Sequence, residues 1–150
     1  GIITITDDRM TRFWITLEQG VRFVMDCIAR MKGGEIFVPK IPSMKILDLL
    51  KAIDENARYK VIGIRPGEKI HETLINEYEG RRCYDAGDFY MILPIHYNDV
   101  RMLGYSFELK KVEDGFFYAS DTNNQWVTIR DMKELLAKLE NEKNEENSVR

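Results

Sequence analysis

The stretch Tyr59–Glu72, Tyr-Lys-Val-Ile-Gly-Ile-Arg-Pro-Gly-Glu-Lys-Ile-His-Glu, sets the frame for the whole chain. It begins with a β-type run, Tyr59–Ile64, which leads into a Pro-Gly turn. Arg65 and Glu68 are thereby fixed at the end of a strand, where α/β proteins bind ligands. The planar fork of an arginine suits phosphate oxygens, and a carboxylate suits a hydroxyl-rich partner such as a ribose. The alternative is a turn that carries both charges only for solubility.

Strand and helix patterns alternate along the first half of the chain. This alternation predicts an α/β fold with mainly parallel strands. The first helix is the clearest element, because a capping box at Thr16–Gln19 precedes apolar residues at helical spacing, and glycines follow Lys32. The predicted order is a strand at 3–6, that helix, a strand at 35–38, a helix over 46–53 capped by Ser43, a strand at 59–64, and a helix carrying Ile70, Leu74 and Ile75.

The second half of the chain is less regular, although it contains a clear final helix. A cap signature at Thr128–Asp131 begins that helix. From Glu140 onward the sequence is charged and has no apolar stripe, which predicts a frayed or disordered tail over residues 140–150. No linker divides the rest, so residues 1–139 are predicted to be one domain. Before the final helix come a strand at 90–93, a poorly periodic segment at 98–115 and a polar loop at 118–125.

Composition excludes several classes of function. The net charge of -3 over 150 residues gives no electrostatic footprint for nucleic acid. No apolar run approaches the ~20 residues that span a bilayer, and we expect no signal peptide in Gly1–Thr6, which is too short and has no basic lead-in. The two cysteines, Cys27 and Cys83, are far apart and predict reduced thiols in a cytoplasmic protein.

Catalytic and metal motifs are also absent from the sequence. His71-Glu72 resembles the start of a zinc-protease helix, but position 75, where the second histidine belongs, is Ile75. The chain contains no Gly-x-Ser-x-Gly elbow, no glycine-rich dinucleotide loop and no Tyr-x-x-x-Lys. We therefore expect neither a metal site nor a cofactor site in this chain.

Two further features leave alternatives open. Arg12 lies between the first strand and the first helix, as either a surface arginine or a second phosphate clamp converging with Arg65. The segment Asn123–Trp126 is either a capped loop before the last helix, a subunit contact or a sugar contact. The aromatic residues expected in the core are Trp14, Phe23, Phe37, Phe89 and Trp126.

Four motifs follow one another along the chain: Met10–Leu17, Gly34–Lys45, Gly63–Glu72 and Asn123–Trp126. Together they closely resemble the C-terminal part of inverting UDP-N-acetylglucosamine 4,6-dehydratases, which belong to the extended short-chain dehydrogenase/reductase superfamily. The similarity extends from about residue 3 to about residue 139. It implies an α/β, Rossmann-type fold in which this chain is the substrate-binding part of a polysaccharide biosynthesis enzyme.

The resemblance also implies roles for individual residues. By motif, Arg12 corresponds to a diphosphate-binding arginine, and Arg65 and Glu68 to residues that hold the diphosphate and the uridine ribose. In the complete parent enzyme a Rossmann half binds NADP, and a tyrosine–lysine pair takes part in catalysis. The nicotinamide takes hydride from C4, water leaves across C5 and C6, and hydride returns at C6 with inversion at C5, which makes the parent a lyase.

The chain departs from that family because the N-terminal cofactor half is missing. We therefore expect no catalytic residue here, and leave open whether the chain is an enzyme by itself. The expected partners are a UDP-sugar, the missing Rossmann half and further copies of the parent, with no membrane or nucleic acid. The alternatives are a stand-alone nucleotide-sugar or partner-binding module, or part of a UDP-sugar 4-epimerase.

The missing half has a physical consequence for the remaining one. The strand at 35–38 and the apolar faces of the helices would lose whatever covers them. We therefore predict that the chain alone exposes a strand edge and apolar helix faces, and that it is poorly soluble or self-associates.

Overall fold

The computed structural model describes residues 1–97 and 103–148 and contains two compact units. The first unit comprises Gly1–Trp14, Pro42–Glu72 and the chain from Asn124 onward. The second unit comprises Ile15–Ile41 and Thr73–Asn123. The chain crosses repeatedly between the units, so neither is continuous in sequence. Because each unit is made of separate segments, no single linker divides the chain, and its composition therefore shows no domain boundary.

The described residues form ten strands and four helices. Each of these strands is short, between two and four residues. In chain order the elements are β1 (Ile2–Ile5), β2 (Thr11–Phe13), α1 (Leu17–Arg30), β3 (Ile36–Pro39), β4 (Ser43–Lys45), α2 (Ile46–Ile53), β5 (Arg58–Val61), β6 (Thr73–Ile75), α3 (Glu77–Gly80), β7 (Cys83–Asp85), β8 (Phe89–Ile92), β9 (Lys110–Lys111), β10 (Tyr118–Ala119) and α4 (Ile129–Ser148).

The first unit combines two short ladders with a pair of helices. β1 and β5 are parallel, with Ile2 opposite Arg58, whereas β2 and β4 are antiparallel, with Arg12 opposite Met44. α2 and α4 contact each other. The core of the unit includes the buried side chains of Met44, Ala52 and Met132. These ladders bring the ends of β1 and β5 and the strand β2 into one unit.

The second unit is built on an antiparallel sheet with the strand order β3-β8-β7-β9. Phe89 and Met91 of the central strand β8 are buried. The rings of Phe23, from α1, and Phe37, from β3, contact Phe89 with centroids 6.3 and 5.4 Å away. Edge-to-face and tilted ring pairs of this kind stabilise a core beyond the area that they bury.

The predicted alternation of single strands and helices is wrong, because two strands precede each of the helices α1, α2 and α3. Thr73–Ile75 form the strand β6 rather than part of a helix, and β6 pairs antiparallel with β10. Ile75 is fully buried, and Asn76 ends the strand by capping α3 through the backbone amide of Glu79. The prediction of mainly parallel strands is also wrong, because β1–β5 is the one parallel ladder between strands of the described chain.

Ser43 belongs to a strand and does not cap α2. The residue before α2 is Lys45, whose side chain makes no capping hydrogen bond. The Ser43 backbone instead accepts from the amide of Val127 and donates to the carbonyl of Gln125. Trp126, which bridges to Ser43 in that contact, remains 40% exposed and is not a core residue. Ser43 therefore pairs with a segment distant in sequence and does not cap the helix that follows it.

The start of α4 agrees with the sequence, whereas its end does not. Thr128 and Asp131 bond reciprocally, each side chain accepting from the other's backbone amide. The helix then continues through Ser148. The charged segment for which we predicted disorder is thus helical from Glu140 to that residue, and the remaining two residues lie outside the described part.

α1 starts where the sequence predicts, and its apolar stripe is open. Thr16 and Gln19 form the capping box. Phe23 packs in the core, whereas five other large apolar side chains of the helix are exposed. Those residues are Leu17, Val21, Val24, Met25 and Ile28, with exposed fractions from 55 to 86%. The predicted exposure of an apolar helix face is therefore confirmed in this helix, and one edge of β3 is unpaired within the described residues.

Candidate functional site

The Arg65 loop, residues 62–72, follows β5 and carries two of the three predicted site residues. Its turn, Arg65–Glu68, is closed by a hydrogen bond of 3.0 Å from the Glu68 amide to the Arg65 carbonyl. Pro66 supplies the fixed φ of the second position, and Gly67 has a φ of +82° at the third. This is the residue pattern of a type II turn. The turn that the sequence predicted is present.

The Glu68 carboxylate connects this turn to the end of β1. Its Oε1 accepts from the hydroxyl of Thr6 at 3.0 Å, and its Oε2 accepts from the amide of Arg65 at 3.1 Å. The hydrogen bond from that amide is the main cause that lowers the pKa of Glu68. The Thr6 hydroxyl and the charges of Arg65 and Arg12 act in the same direction. Glu68 is therefore an ionised acceptor at neutral pH.

The Arg65 side chain is exposed at the tip of the loop. Within residues 1–97 and 103–148 its guanidinium has no hydrogen-bond or ion-pair partner, although its charge reaches the Glu68 carboxylate. A guanidinium presents five N–H donors in a planar fork. Arg65 is thus available to an anionic ligand without breaking a contact in the protein.

Arg12, on β2, is placed differently from Arg65. Its guanidinium donates to the carbonyls of Lys69 and Ile70 at 2.9 Å each, and to the carbonyl of Thr11 at 2.7 Å. Its Nε lies 3.5 Å from the Glu72 carboxylate. Two of these three carbonyl bonds therefore hold the backbone of the Arg65 loop.

Thr11, which precedes Arg12, makes further contacts between β2 and the loop. The Thr11 hydroxyl lies 2.8 Å from His71 Nδ1. The Thr11 amide donates to the Ile70 carbonyl at 3.2 Å. His71 lies in the loop and not on a helix, contrary to the sequence interpretation. Because all these contacts join residues near 11 to residues near 70, they fix the loop against β2.

A tight ion pair lies between β1 and β2. Asp7 accepts from the side chain of Arg9 at 2.7 and 2.9 Å and from its backbone amide at 2.9 Å. The hydrogen bonds from Arg9 lower the pKa of Asp7 to about 2. Asp7 is nearly buried, whereas Arg9 is mostly exposed. The pair closes the turn that leads into β2.

The structure places the three predicted residues in one unit, and the charges of Arg12 and Arg65 both lower the pKa of Glu68. Sequence reasoning missed Thr6 and Thr11, which hold the loop. Threonines on strands are common, and no local pattern marks which of them reaches a loop distant in sequence. The Met10–Leu17 motif includes Thr11, which was the one available signal.

The metal, thiol and membrane features of the described residues point to no second site. Among the described residues no three His, Cys, Asp or Glu side chains are grouped as metal ligands. Cys27 and Cys83 are free thiols, and burial raises the pKa of Cys83 to about 11. In the same part of the chain, no helix has the length and apolarity to span a bilayer. Asn123, from the fourth motif, is buried and donates to the Ile41 carbonyl.

Comparisons with known proteins agree with the resemblance found in the motifs. The profile of a family described as "Polysaccharide biosynthesis protein" matches residues 1–94. Two inverting UDP-N-acetylglucosamine 4,6-dehydratases of Campylobacter jejuni, from serotypes O:2 and O:23/36, are 46% and 44% identical over 139 residues. Each alignment covers 89% of this chain and 42% of the relative. The chain thus spans about two fifths of the length of these curated relatives.

A second enzyme class and one solved structure are also similar. A UDP-glucose 4-epimerase of Rickettsia canadensis is 31% identical over 91% of this chain and 41% of the relative. The X-ray structure of Pen from Bacillus thuringiensis matches with a TM-score of 0.76 and 28% identity, over 92% of this chain and 41% of that chain. The predicted α/β fold class and the resemblance to part of an inverting dehydratase are confirmed.

Proposed function

The chain belongs to the polysaccharide biosynthesis protein family, and we propose that it is the UDP-sugar-binding part of an inverting UDP-N-acetylglucosamine 4,6-dehydratase. The parent would act in surface-polysaccharide or pseudaminic acid biosynthesis. The observation that carries the proposal is the Arg65 turn, which presents an uncommitted guanidinium and, three residues later, an ionised carboxylate that accepts from the Arg65 amide. The dehydratase identities support the substrate class.

The chemistry of a UDP group matches these two side chains. The fork of Arg65 binds two diphosphate oxygens at once, in a charge-assisted geometry. Glu68, held ionised, accepts hydrogen bonds from ribose hydroxyls. Arg12 lies in the same unit, and its charge also lowers the pKa of Glu68. The chain has binding groups but no proposed catalytic residue.

Calorimetry with UDP on the complete parent protein tests the proposal. Arg65→Ala should weaken binding by roughly 1.5–3 kcal/mol, because a charged hydrogen bond is left unmade. Arg65→Lys should lose less, since it keeps the charge but not the fork. Arg9→Ala is the matched control, because Arg9 is an exposed arginine of the same unit that is paired with Asp7. Equal UDP affinity in Arg65→Ala and wild type would remove Arg65 from the site.

A UDP-sugar 4-epimerase is the second candidate, because epimerases also match more than nine tenths of the chain. The two activities differ in product: a dehydratase removes water from UDP-N-acetylglucosamine, whereas an epimerase returns an isomer of the same mass. Mass spectrometry of the product of the complete protein separates them. A product lighter by one water supports the dehydratase, and an isomer supports the epimerase.

NADP does not fit the described residues of this chain. α1 follows a threonine cap, α2 follows Lys45, and the paired glycines Gly33 and Gly34 come after a helix. None of these is the strand–glycine–helix turn that cradles a pyrophosphate. We therefore assign NADP to the remainder of the parent protein.

The remainder of the parent is also the proposed partner of the open apolar surfaces. The exposed stripe of α1 and the exposed side chains of β1 and β5 need a cover, and the relatives are more than twice as long as the aligned segment. We further propose that the parent is a cytoplasmic homo-oligomer. The two free thiols are consistent with a reducing compartment.

A further inference from the structure

We propose that Thr6 is a positioning residue for the UDP site: its hydroxyl orients the Glu68 carboxylate toward the ribose hydroxyls. The inference rests on the proposed function and extends it to a residue outside the four motifs of the sequence. Its basis is the way in which the two oxygens of that carboxylate are bonded within the first unit.

Two different segments of the chain hold the Glu68 carboxylate. Oε2 accepts from the Arg65 amide at 3.1 Å, and these residues are 3 apart along the chain. Oε1 accepts from the Thr6 hydroxyl at 3.0 Å, and these residues are 62 apart. The final torsion of a glutamate side chain has a broad energy profile, so the local bond alone does not select one orientation. The bond from Thr6 supplies the second point that fixes the carboxylate.

The β1–β5 ladder explains why Thr6 lies within reach of the turn. The two strands are parallel, and the Ile62 amide extends their ladder by donating to the Ile5 carbonyl at 2.9 Å. The carboxyl ends of both strands therefore lie side by side, with Thr6 following β1 and the Arg65 loop following β5. Thr6 and Glu68 are both half-buried, so their contact is partly shielded from water.

The Thr6 hydroxyl has one proton and two neighbouring acceptors. The sulfur of Met10 lies 3.1 Å from the hydroxyl oxygen, and Oε1 of Glu68 lies 3.0 Å from it. A thioether is a weak acceptor, whereas a hydrogen bond to an ionised carboxylate is roughly twice as strong as one between neutral groups. The proton is therefore directed to Glu68.

The bonds within the protein leave acceptor positions on Glu68 for a ligand. An ionised carboxylate has about four lone-pair positions, and the Arg65 amide and the Thr6 hydroxyl each use one of them. The remaining positions match the two neighbouring hydroxyls of a ribose, which donate hydrogen bonds. Thr6 thus determines which positions of the carboxylate face the nucleotide.

A purely structural Thr6 and a positioning Thr6 predict different ligand dependence. If Thr6 only stabilises the end of β1, its loss lowers the affinity for every ligand of the site by the same factor, or for none. If Thr6 orients Glu68, its loss lowers the affinity only for ligands that carry ribose hydroxyls. UDP carries both of these hydroxyls, and 2′,3′-dideoxy-UDP carries neither.

Calorimetry of the complete parent protein with UDP and with dideoxy-UDP measures this difference. Thr6→Val keeps the shape of the side chain and removes the hydroxyl. It should lower the UDP affinity about three- to tenfold, as for one hydrogen bond, and leave the dideoxy-UDP affinity unchanged. Thr6→Ser keeps the hydroxyl and should retain the wild-type affinities. Thr4→Val makes the same change at an exposed position of β1 and is the matched control, which should alter neither affinity.

A double-mutant cycle tests whether Thr6 acts through Glu68. In a Glu68→Ala background, Thr6→Val should cause no further loss of UDP affinity, because the carboxylate that it orients is gone. The inference would be overturned by an unchanged UDP affinity in Thr6→Val, by an equal loss for both nucleotides, or by an effect additive with Glu68→Ala. If neither Arg65→Ala nor Glu68→Ala alters UDP binding, the proposed function itself fails.

The pKa of Glu68 gives a readout that needs no ligand. A hydrogen bond donated to the charged form of a carboxylate lowers its pKa, and the bonds from the Arg65 amide and the Thr6 hydroxyl both act in this direction. Thr6→Val should therefore raise the pKa of Glu68 in the 150-residue chain, whereas Thr6→Ser and Thr4→Val should not. Carbon NMR of labelled glutamate side chains, with Glu68→Gln to assign the signal, measures this pKa. An unchanged value in Thr6→Val would refute the contact, whether or not UDP binds.

Discussion

The two units differ in how far each completes its own core. In the second unit the antiparallel sheet buries Met91 and Cys83 completely, and aromatic rings surround Phe89. In the first unit the parallel ladder β1–β5 leaves apolar side chains such as Ile2 and Val61 exposed. Parallel strands usually need cover on both faces, and a two-stranded sheet is marginal alone. The proposed UDP site therefore belongs to the unit whose sheet is less complete.

A pair of truncations at the two sheets tests this contrast most strongly. Met91→Ala should lower the unfolding free energy of the 150-residue chain by about 2–5 kcal/mol, because it opens a cavity in a closed core. Val61→Ala, on β5, should change it by about 0.5 kcal/mol or less, as for an exposed site. Urea unfolding followed by circular dichroism measures both.

The same pair sharpens the proposal about the remainder of the parent. In the complete protein Val61→Ala should cost clearly more than in the 150-residue chain, because β5 is then covered. Equal costs in the two proteins would mean that the surface stays open.

Two glycines of the second unit predict opposite effects of the same substitution. A Cβ on Gly80 would lie 2.1 Å from the backbone oxygen of Phe116. Gly80→Ala should therefore cost about 1–3 kcal/mol by overpacking. A Cβ on Gly20, inside α1, would have Ile15 Cδ1 as its nearest neighbour, 4.0 Å away, so Gly20→Ala should stabilise the chain by about 0.5–1 kcal/mol through helix propensity. Thermal unfolding of both variants checks the signs, and a neutral Gly80→Ala would contradict the close packing at α3.

The exposed stripe of α1 predicts self-association of the isolated chain. Val24→Lys places a charge in the middle of that stripe and should reduce the weight-average mass that sedimentation measures at a given concentration. Glu18→Gln changes the net charge by the same +1 at a residue that pairs with Arg22, and should leave the association unchanged. A monodisperse wild-type monomer in analytical ultracentrifugation would contradict the prediction.

The smallest expected effect concerns acid stability of the first unit. The pKa of Asp7 falls from its usual 3.8 to about 2 in the folded chain. A depressed pKa contributes stability that is present above 3.8 and is lost as the pH falls toward 2. Asp7→Asn should therefore flatten the dependence of the unfolding free energy on pH in that window. Asp8→Asn removes the same charge one residue away and is the control; an identical slope in Asp7→Asn and wild type would contradict the ion pair.

Local signals predicted the elements that local contacts decide. The capping boxes at Thr16–Gln19 and Thr128–Asp131 begin α1 and α4 as expected. The Arg65 turn formed because Pro and Gly supply the dihedral angles of a type II turn. In each case residues three apart carry the information, so one sequence was sufficient.

Long-range pairing decided the elements that the sequence missed. Thr73–Ile75 became a strand because β10, far along the chain, pairs with it. Ser43 was drawn into a strand by contacts with residues 125 and 127. Local periodicity carries no record of such partners, and short apolar runs are ambiguous between helix and strand.

The same distinction between local signals and long-range contacts applies to the candidate site. The sequence by itself determined the α/β character, the family resemblance and the identity of Arg12, Arg65 and Glu68, since residue types and the turn at Pro66 are local properties. Only the tertiary structure decided that the Arg12 guanidinium donates hydrogen bonds to the carbonyls of Lys69 and Ile70. The Arg65 guanidinium has no such partner among the described residues. Which acceptor a guanidinium finds depends on what the fold brings within about 3 Å of it, and β2 meets the Arg65 loop only after the chain has folded.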